Sequence, residues 1–191
     1  DGQFPIVSDW GDGPGNVKPD PRPWDEVARE FAFVEEFEAL RPKVQGPGCL
    51  ERFDYWMNNF RYMKASARLK CIWAEYDKAM AAVKAGADAK TALPVRKRFL
   101  STLEEAYRFL LATVSTPGEL GTVANWEQHV LAKAPVRRED ALEKALGEPL
   151  PEDAIPPVTY TGPTRVIVPV VRTSVDEGEA LNLKVIVLSP Q

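Results

Sequence analysis

Apolar residues recur at three- and four-residue steps through the middle of the chain, which is the pattern of helices with one buried face. The pattern predicts antiparallel helices over Trp24–Arg41, about Cys49–Lys84, Thr91–Thr113, a shorter stretch that begins at Pro117, and Arg138–Leu146. The second helix carries the strongest signal, because neither glycine nor proline interrupts it, and it is long enough to cross most of a domain. A turn at Gly46-Pro47-Gly48 is expected to separate it from the first helix.

Both ends of the chain carry a β-pattern instead. Phe4–Val7 is a short apolar run before a glycine-rich loop, and it predicts a strand. Thr164–Val171 and Ala180–Leu188 predict a C-terminal hairpin, whose second run alternates apolar and polar positions. An apolar strand face needs a covering layer, and a lone hairpin is marginal in water. Either this hairpin lies on the preceding helices or, as we expect, it begins a β-sandwich that other polypeptide completes.

The predicted fold is therefore mainly α: antiparallel helices, one of them very long, with a short N-terminal strand and a C-terminal β-hairpin. Residues 1–46 comprise the strand, a Gly/Pro-rich loop and a helix, and residues 47–147 form the helical segment. Residues 148–162 are a proline-rich linker, and residues 163–191 hold the C-terminal strands.

Composition narrows the class of protein. The chain has 191 residues, 45% of them hydrophobic and 27% charged, with a net charge of −4. These values fit one medium globular domain and argue against disorder. The negative charge argues against a basic nucleic-acid-binding face, and no apolar run approaches the ~20 residues of a membrane span. We therefore expect neither a nucleic-acid partner nor a membrane partner.

Metal, thiol and nucleophile chemistry have little support in the sequence. His129 is the single histidine, and two cysteines are too few for a four-cysteine zinc site, so we expect no metal and no cofactor. Cys49 and Cys71 lie roughly 33 Å apart along the predicted helix, too far to bridge, and are expected to be free, largely buried thiols. His129 lies mid-helix without a nucleophile elbow, and the Gly11–Gly15 loop lacks the lysine of a phosphate loop. We assign no catalytic residue to this chain.

Candidate ligand chemistry is concentrated in the loop Ser8–Gly13 (SDWGDG), directly after the predicted N-terminal strand. In α/β barrels, the loops after the carboxyl ends of strands form the active site. Trp10 offers a flat apolar face to the C–H face of a sugar ring, and Asp9 or Asp12 can accept hydrogen bonds from hydroxyl groups. The structural alternative is that Trp10 fills a core and the aspartates cap a turn.

The segment Glu51–Tyr62 places charged and amide side chains among aromatic ones. Its rings fall on more than one helical face, so this part of the helix is expected to be buried nearly all round. At four-residue spacing, Glu51 can reach Tyr55, and Asp54 can reach Asn58. Polar groups beside buried rings need polar partners. A helix–barrel interface, which we favour, would supply them, and so would a ligand cleft.

Three stretches resemble a known family. Two of them resemble the region after the last barrel strand of agarase-like bacterial glycoside hydrolases. The first is Gln3–Gly11 (QFPIVSDWG) followed by Pro23-Trp24, and the second is Leu50–Tyr62 (LERFDYWMNNFRY). Pro163–Leu188 resembles the first strands of the β-sandwich that is appended to many multidomain glycosidases.

The resemblance implies the last βα unit of a TIM barrel, a helical segment on its flank and the start of a β-sandwich. It implies catalysis by two carboxylates on barrel strands upstream of this chain. Asp9, Trp10, Asp12 and Trp24 would then contact a polysaccharide or oligosaccharide. The implied partners are the rest of the same enzyme or a companion chain, and the implied location is secreted or periplasmic.

Two other functions stay open on the sequence. One is a non-catalytic helical interaction or carbohydrate-binding module, with its helices closed by a small sheet from both ends. The other is a self-contained enzyme, which the single histidine, the buried-looking cysteines and the lack of metal-ligand spacing disfavour.

Overall fold

The computed structural model of the chain describes residues 18–127, 130, 136–150, 164–167 and 185–189. Within those residues the chain is mainly helical, which confirms the coarse prediction of fold class. The α-helices are α1 (Trp24–Val27), α2 (Ala32–Glu38), α3 (Pro47–Lys84), α4 (Leu93–Thr113), α5 (Pro117–Trp126) and α6 (Val136–Leu146). Short 3-10 helices span Ala28–Phe31, Arg41–Lys43 and Ala89–Ala92. The predicted N-terminal strand and its loop lie outside the described residues.

Helix α3 dominates the fold. It has 38 residues, and at ~1.5 Å per residue it is roughly 57 Å long. The prediction of a turn at Gly46-Pro47-Gly48 was partly wrong, because the helix already begins at Pro47. Gly46 has a φ of 85°, which the missing Cβ permits, and Pro47 occupies the first helical position, where no backbone N–H is needed.

Helices α3 and α4 form an antiparallel hairpin, as predicted. The Asn58 Nδ2 group donates to the carbonyl of Ala112, whereas Arg98, much earlier in α4, pairs with Glu75 farther along α3. Partners therefore run in opposite directions along the two helices. Side chains of both helices contribute to the main apolar core, and the deeply buried ones among them include Tyr62, Leu69, Tyr76, Phe99, Leu103, Ala106 and Leu110.

The first helix is not continuous, contrary to the prediction over Trp24–Arg41. Phe31 has φ −110° and ψ 13°, outside the helical region, and a 3-10 helix joins α1 to α2 there. Val27 and Val34 are nevertheless both buried, because the apolar stripe keeps one face toward α3 through the break. The α-helix ends at Glu38, and the 3-10 helix Arg41–Lys43, which contains Pro42, follows it.

Helix α5 packs beside the C-terminal end of α4, and α6 packs near its N-terminal end. Thr116 and Glu119 form a capping box at the start of α5, and Trp126 at its end is fully buried in the main core. Leu142 of α6 is fully buried against the 3-10 helix Ala89–Ala92, which precedes α4. Residues 128–129, with the single histidine, lie outside the described part of the chain.

Two short strands, β1 (Arg165–Ile167) and β2 (Ile186–Leu188), pair antiparallel, with Val166 opposite Val187. Both of these valines are exposed, so the described part of the pair presents apolar side chains to solvent. Residues 168–184 lie outside the described part of the chain. The longer hairpin and the β-sandwich therefore stay predictions.

The two cysteines differ in environment. Both are free, as expected, but Cys49 is exposed at the start of α3, so the prediction that both are largely buried was wrong for it. Cys49 lies in the first turn of α3, where α4 does not reach. Cys71 is buried beside Val27 and Ala67, and this burial raises the pKa of its thiol to about 11.

The hairpin core gives a first prediction. Replacing Leu103, which is fully buried, with alanine should lower the free energy of unfolding by about 3 kcal/mol, because a cavity would open between α3 and α4. Urea unfolding followed by circular dichroism measures it. Lys97→Ala, at an exposed position of the same helix, should change the free energy by less than about 0.5 kcal/mol. Equal effects of the two substitutions would contradict this packing.

Candidate functional site: a polar groove and an aromatic patch

An open groove of about 990 Å³ lies at the N-terminal end of α3. One side of it is formed by α3, and the remainder comes from Arg41, from the turn after α4 and from β1. Its lining residues are Arg41, Pro47, Leu50, Glu51, Asp54, Tyr55, Asn58, Arg61, Ser115, Thr164 and Val166. This cavity is the α3 groove.

A two-pronged ion pair lies at one edge of the α3 groove. The Arg41 guanidinium donates from Nε to Asp54 Oδ1 and from Nη2 to Oδ2, both at 2.7 Å. These hydrogen bonds, and to a lesser extent the nearby charges of Arg41 and Arg61, hold the pKa of Asp54 below its ordinary value. The Asp54 carboxylate is thus ionised at neutral pH and oriented by the guanidinium.

The second guanidinium in the groove is also paired. Arg61 Nη2 donates to Glu38 at the end of α2, and one turn farther along α3 Lys64 Nζ donates to Glu35. Together with the pair of Arg41 and Asp54, these ion pairs join α2 and the 3-10 helix after it to one side of α3. Both arginines that line the groove therefore already have carboxylate partners.

Glu119 lies behind the groove and contacts two of its lining residues. Its Oε1 accepts a hydrogen bond from the Tyr55 hydroxyl at 3.0 Å. Its Oε2 accepts from the backbone N–H of Ser115 at 3.3 Å and of Thr116 at 2.6 Å, and from the Thr116 hydroxyl. Partial burial alone would raise the pKa of Glu119, but the hydrogen bonds from Thr116 and Tyr55 outweigh burial and lower it.

An aromatic patch covers a different face of the same stretch of α3. The ring of Phe37 stacks on Phe53 with centroids 4.3 Å apart, and Phe60 meets Phe33 and Phe37 edge-on. Trp56 packs on Phe60 but is 50% exposed, and Phe33 is 40% exposed. The prediction that this segment is buried nearly all round was therefore wrong, because no described residue covers the outer face of Trp56.

The residues singled out from the sequence are not brought together in the described structure. Trp24 is half-buried, stacks on Phe31 with centroids 6.5 Å apart, and packs against the small core cluster of Val27, Ala67 and Cys71. It does not line the α3 groove. Asp9, Trp10 and Asp12 lie outside the described residues, so their contacts with a sugar stay predictions.

Sequence reasoning found part of the groove and missed the rest. The mixture of polar and aromatic residues in Glu51–Tyr62 did mark this segment as an interface or a ligand cleft. It missed Arg41, Ser115 and Glu119, which come from distant parts of the chain. The capping-box spacing of Thr116 and Glu119 was a usable signal for the start of α5, but it carries no information about Tyr55.

Two other kinds of site find no support in the described residues. None of their histidine, cysteine and acidic side chains form a group of three or more that could hold a metal ion. No described helix combines the length and the apolar character needed to cross a membrane.

Comparisons with known proteins add no relative. No protein-family model, no curated protein and no solved structure matches the chain. The similarity to agarase-like hydrolases therefore stays a prediction from the sequence.

The ion pair gives a second prediction. Because Arg41 lowers the pKa of Asp54, Arg41→Ala should return that pKa toward its ordinary value of about 3.9, as measured by NMR titration of the Asp54 carboxyl. Lys43→Ala, on the same 3-10 helix, should leave it unchanged. A lowered pKa in the folded state stabilises the fold at pH values above the pKa of the unfolded state. This contribution is lost as the pH falls through the pKa of the folded state.

The contribution of this ion pair to the free energy of unfolding should be small, because the two side chains are 50% and 40% exposed and water screens their attraction. An Asp54 titration midpoint that does not move in Arg41→Ala would contradict this assignment of the shift.

Proposed function

We propose that this chain is a non-catalytic part of a polysaccharide-degrading glycoside hydrolase and that the α3 groove holds a sugar chain. The observation that carries the proposal is the composition of the groove wall. A tyrosine ring held by its hydroxyl lies there beside an oriented carboxylate, a side-chain amide and two guanidinium groups.

These groups match the chemistry of a sugar. A pyranose ring has an apolar C–H face, which can lie against the ring of Tyr55, and a rim of hydroxyl groups. Asp54 accepts hydrogen bonds from hydroxyls, and Asn58 uses one amide hydrogen on Ala112, which leaves its other hydrogen and its oxygen for a ligand. Pockets with a few placed polar groups beside an aromatic wall are the usual form of small-ligand sites.

The charges in the groove favour a sugar without acidic groups. Arg41 is held by Asp54 and Arg61 by Glu38, and Glu51 adds a further carboxylate to the lining. A sulfated or uronic-acid chain would have to compete with Asp54 and Glu38 for the guanidinium groups.

The sequence resemblance supplies the rest of the proposal. It supports an agarase-like enzyme whose catalytic carboxylates belong to a barrel upstream, with the C-terminal strands as the start of a β-sandwich. Asp9, Trp10, Asp12 and Trp24 are proposed as additional sugar contacts in that enzyme. The proposal includes a secreted or periplasmic location, because a polysaccharide substrate is outside the cell.

A second candidate function is a helical interaction module, and the exposed aromatic patch favours it. Trp56, Phe33 and Leu40 are exposed large apolar side chains, and proteins commonly use such side chains at protein interfaces. In a glycoside hydrolase this patch would be the surface that supports the barrel. The two functions use different faces of α3 and are therefore separable by substitution.

The third prediction tests the sugar groove. With a neutral agar oligosaccharide as the probe, Tyr55→Ala should weaken binding by about tenfold or more, because the truncation loses about 0.5–1.5 kcal/mol of aromatic stacking together with the apolar area that the ring buries. Isothermal titration calorimetry on the full chain measures it. The matched control is Phe33→Ala, which removes a half-exposed ring that does not line the groove.

Binding that survives Tyr55→Ala but is lost in Phe33→Ala or Trp56→Ala would move the ligand site to the aromatic patch. No binding of any neutral oligosaccharide by the wild-type chain would argue against the sugar groove and in favour of the interaction module.

The fourth prediction tests the charge argument. The neutral oligosaccharide should bind more tightly than an alginate oligosaccharide of equal length, and its affinity should change little with ionic strength, because no net charge is neutralised on binding. Tighter binding of the anionic oligosaccharide, weakening steeply with salt, would show that the guanidinium groups are available to anions and would contradict the argument.

A further inference from the structure

We infer that Glu119 is a positioning residue of the α3 groove: it fixes the Tyr55 ring and the backbone of Ser115, which lines the other side of the groove, in their ligand-binding arrangement. The inference rests on the proposed function, since it concerns the same groove. Glu119 itself does not line the cavity, so it would act through the residues that do.

One carboxylate joins the two sides of the groove. Oε1 of Glu119 holds the hydroxyl of Tyr55 on α3, and Oε2 holds the backbone N–H groups of Ser115 and Thr116 in the turn after α4. Tyr55 and Glu119 are distant in the sequence, so neither the helix nor the turn alone could set this geometry. Asn58 adds a second tie between the same two elements, through the Ala112 carbonyl.

Capping alone does not explain the arrangement. A capping box at the start of α5 requires only Thr116 and Glu119. The bond from Tyr55 adds a partly buried, charge-assisted contact that the cap does not need. Burial, as the larger cause, and this bond to the Glu119 carboxylate, as the smaller one, both raise the pKa of Tyr55. Its hydroxyl therefore stays protonated and able to donate at neutral pH.

The physical benefit is preorganisation of the ring. A tyrosine whose hydroxyl is free can rotate about χ1 and χ2, and a ligand that stacks on it must first restrict that rotation. A ring held at its far end has lost this freedom before the ligand arrives. Loss of the tie should therefore weaken binding even though Glu119 makes no contact with the ligand.

A double-mutant cycle on the full chain tests the inference. With a neutral agar oligosaccharide as the probe, Tyr55→Phe and Glu119→Ala should each weaken binding about five- to tenfold, and the double variant should bind no more weakly than either single variant. Glu119→Gln keeps an acceptor for the tyrosine hydroxyl and should recover part of the loss. Additive losses in the double variant would overturn the inference.

A cap-only variant separates positioning from stability. Thr116→Ala removes the other half of the capping box but leaves Tyr55 bonded to Glu119, so it should lower stability while affinity changes by less than about twofold. If Thr116→Ala weakens binding as much as Glu119→Ala does, Glu119 acts only through the stability of α5 and the inference fails.

A readout without a ligand keeps the two proposals distinguishable. In the free protein, Tyr55→Phe should speed amide hydrogen exchange at Ser115 and Thr116 severalfold, because the Glu119 carboxylate that accepts from both amides would lose its anchor on α3. Exchange at the wild-type rate would overturn the inference whatever the sugar data show. If exchange rises but the wild-type chain binds no sugar, the proposed function fails while the tie through Glu119 stands.

Discussion

The arrangement of the molecule depends on the packing of one long helix against a shorter one. Helix α3 has 38 residues and α4 has 21, and the interface between them holds most of the buried side chains of the main core. Near the end of α4, Asn58 is tied to the Ala112 carbonyl. The turns of α3 that precede Asn58 therefore extend beyond α4. The α3 groove and the aromatic patch both lie near this end of α3, on different faces.

Much of the fold could be predicted because it is encoded locally. The apolar periodicity of α3, the proline at the start of α5 and the glycines at helix ends are signals that act over a few residues. The break between α1 and α2 could not be predicted in this way. Val27 and Val34 are seven positions apart and stay on one buried face whether or not the backbone between them tightens into a 3-10 helix.

The site was less predictable, because its partners come from distant parts of the chain. Four-residue spacing places Asn58 within reach of Asp54, but the Asp54 carboxylate is instead held by Arg41 from the segment before α3. Likewise the Tyr55 hydroxyl bonds to Glu119, far along the chain. Spacing shows which polar groups need partners near aromatic rings. Tertiary packing decides which distant group supplies the partner, and the spacing of residues in a single sequence does not predict that packing.

The central claim is that the α3 groove holds a sugar, and NMR chemical-shift mapping with a neutral agar oligosaccharide tests it most directly. The chain has five tryptophans, and the Trp56 indole lies 5.4 Å from the Tyr55 ring. The account predicts shifts at the backbone amides of Tyr55, Asn58 and Ser115, with the buried Trp73 and Trp126 unchanged, whereas shifts confined to the Trp56 indole would place the ligand on the aromatic patch instead. Shifts confined to Trp10 and Trp24, or no shifts at all, would contradict it.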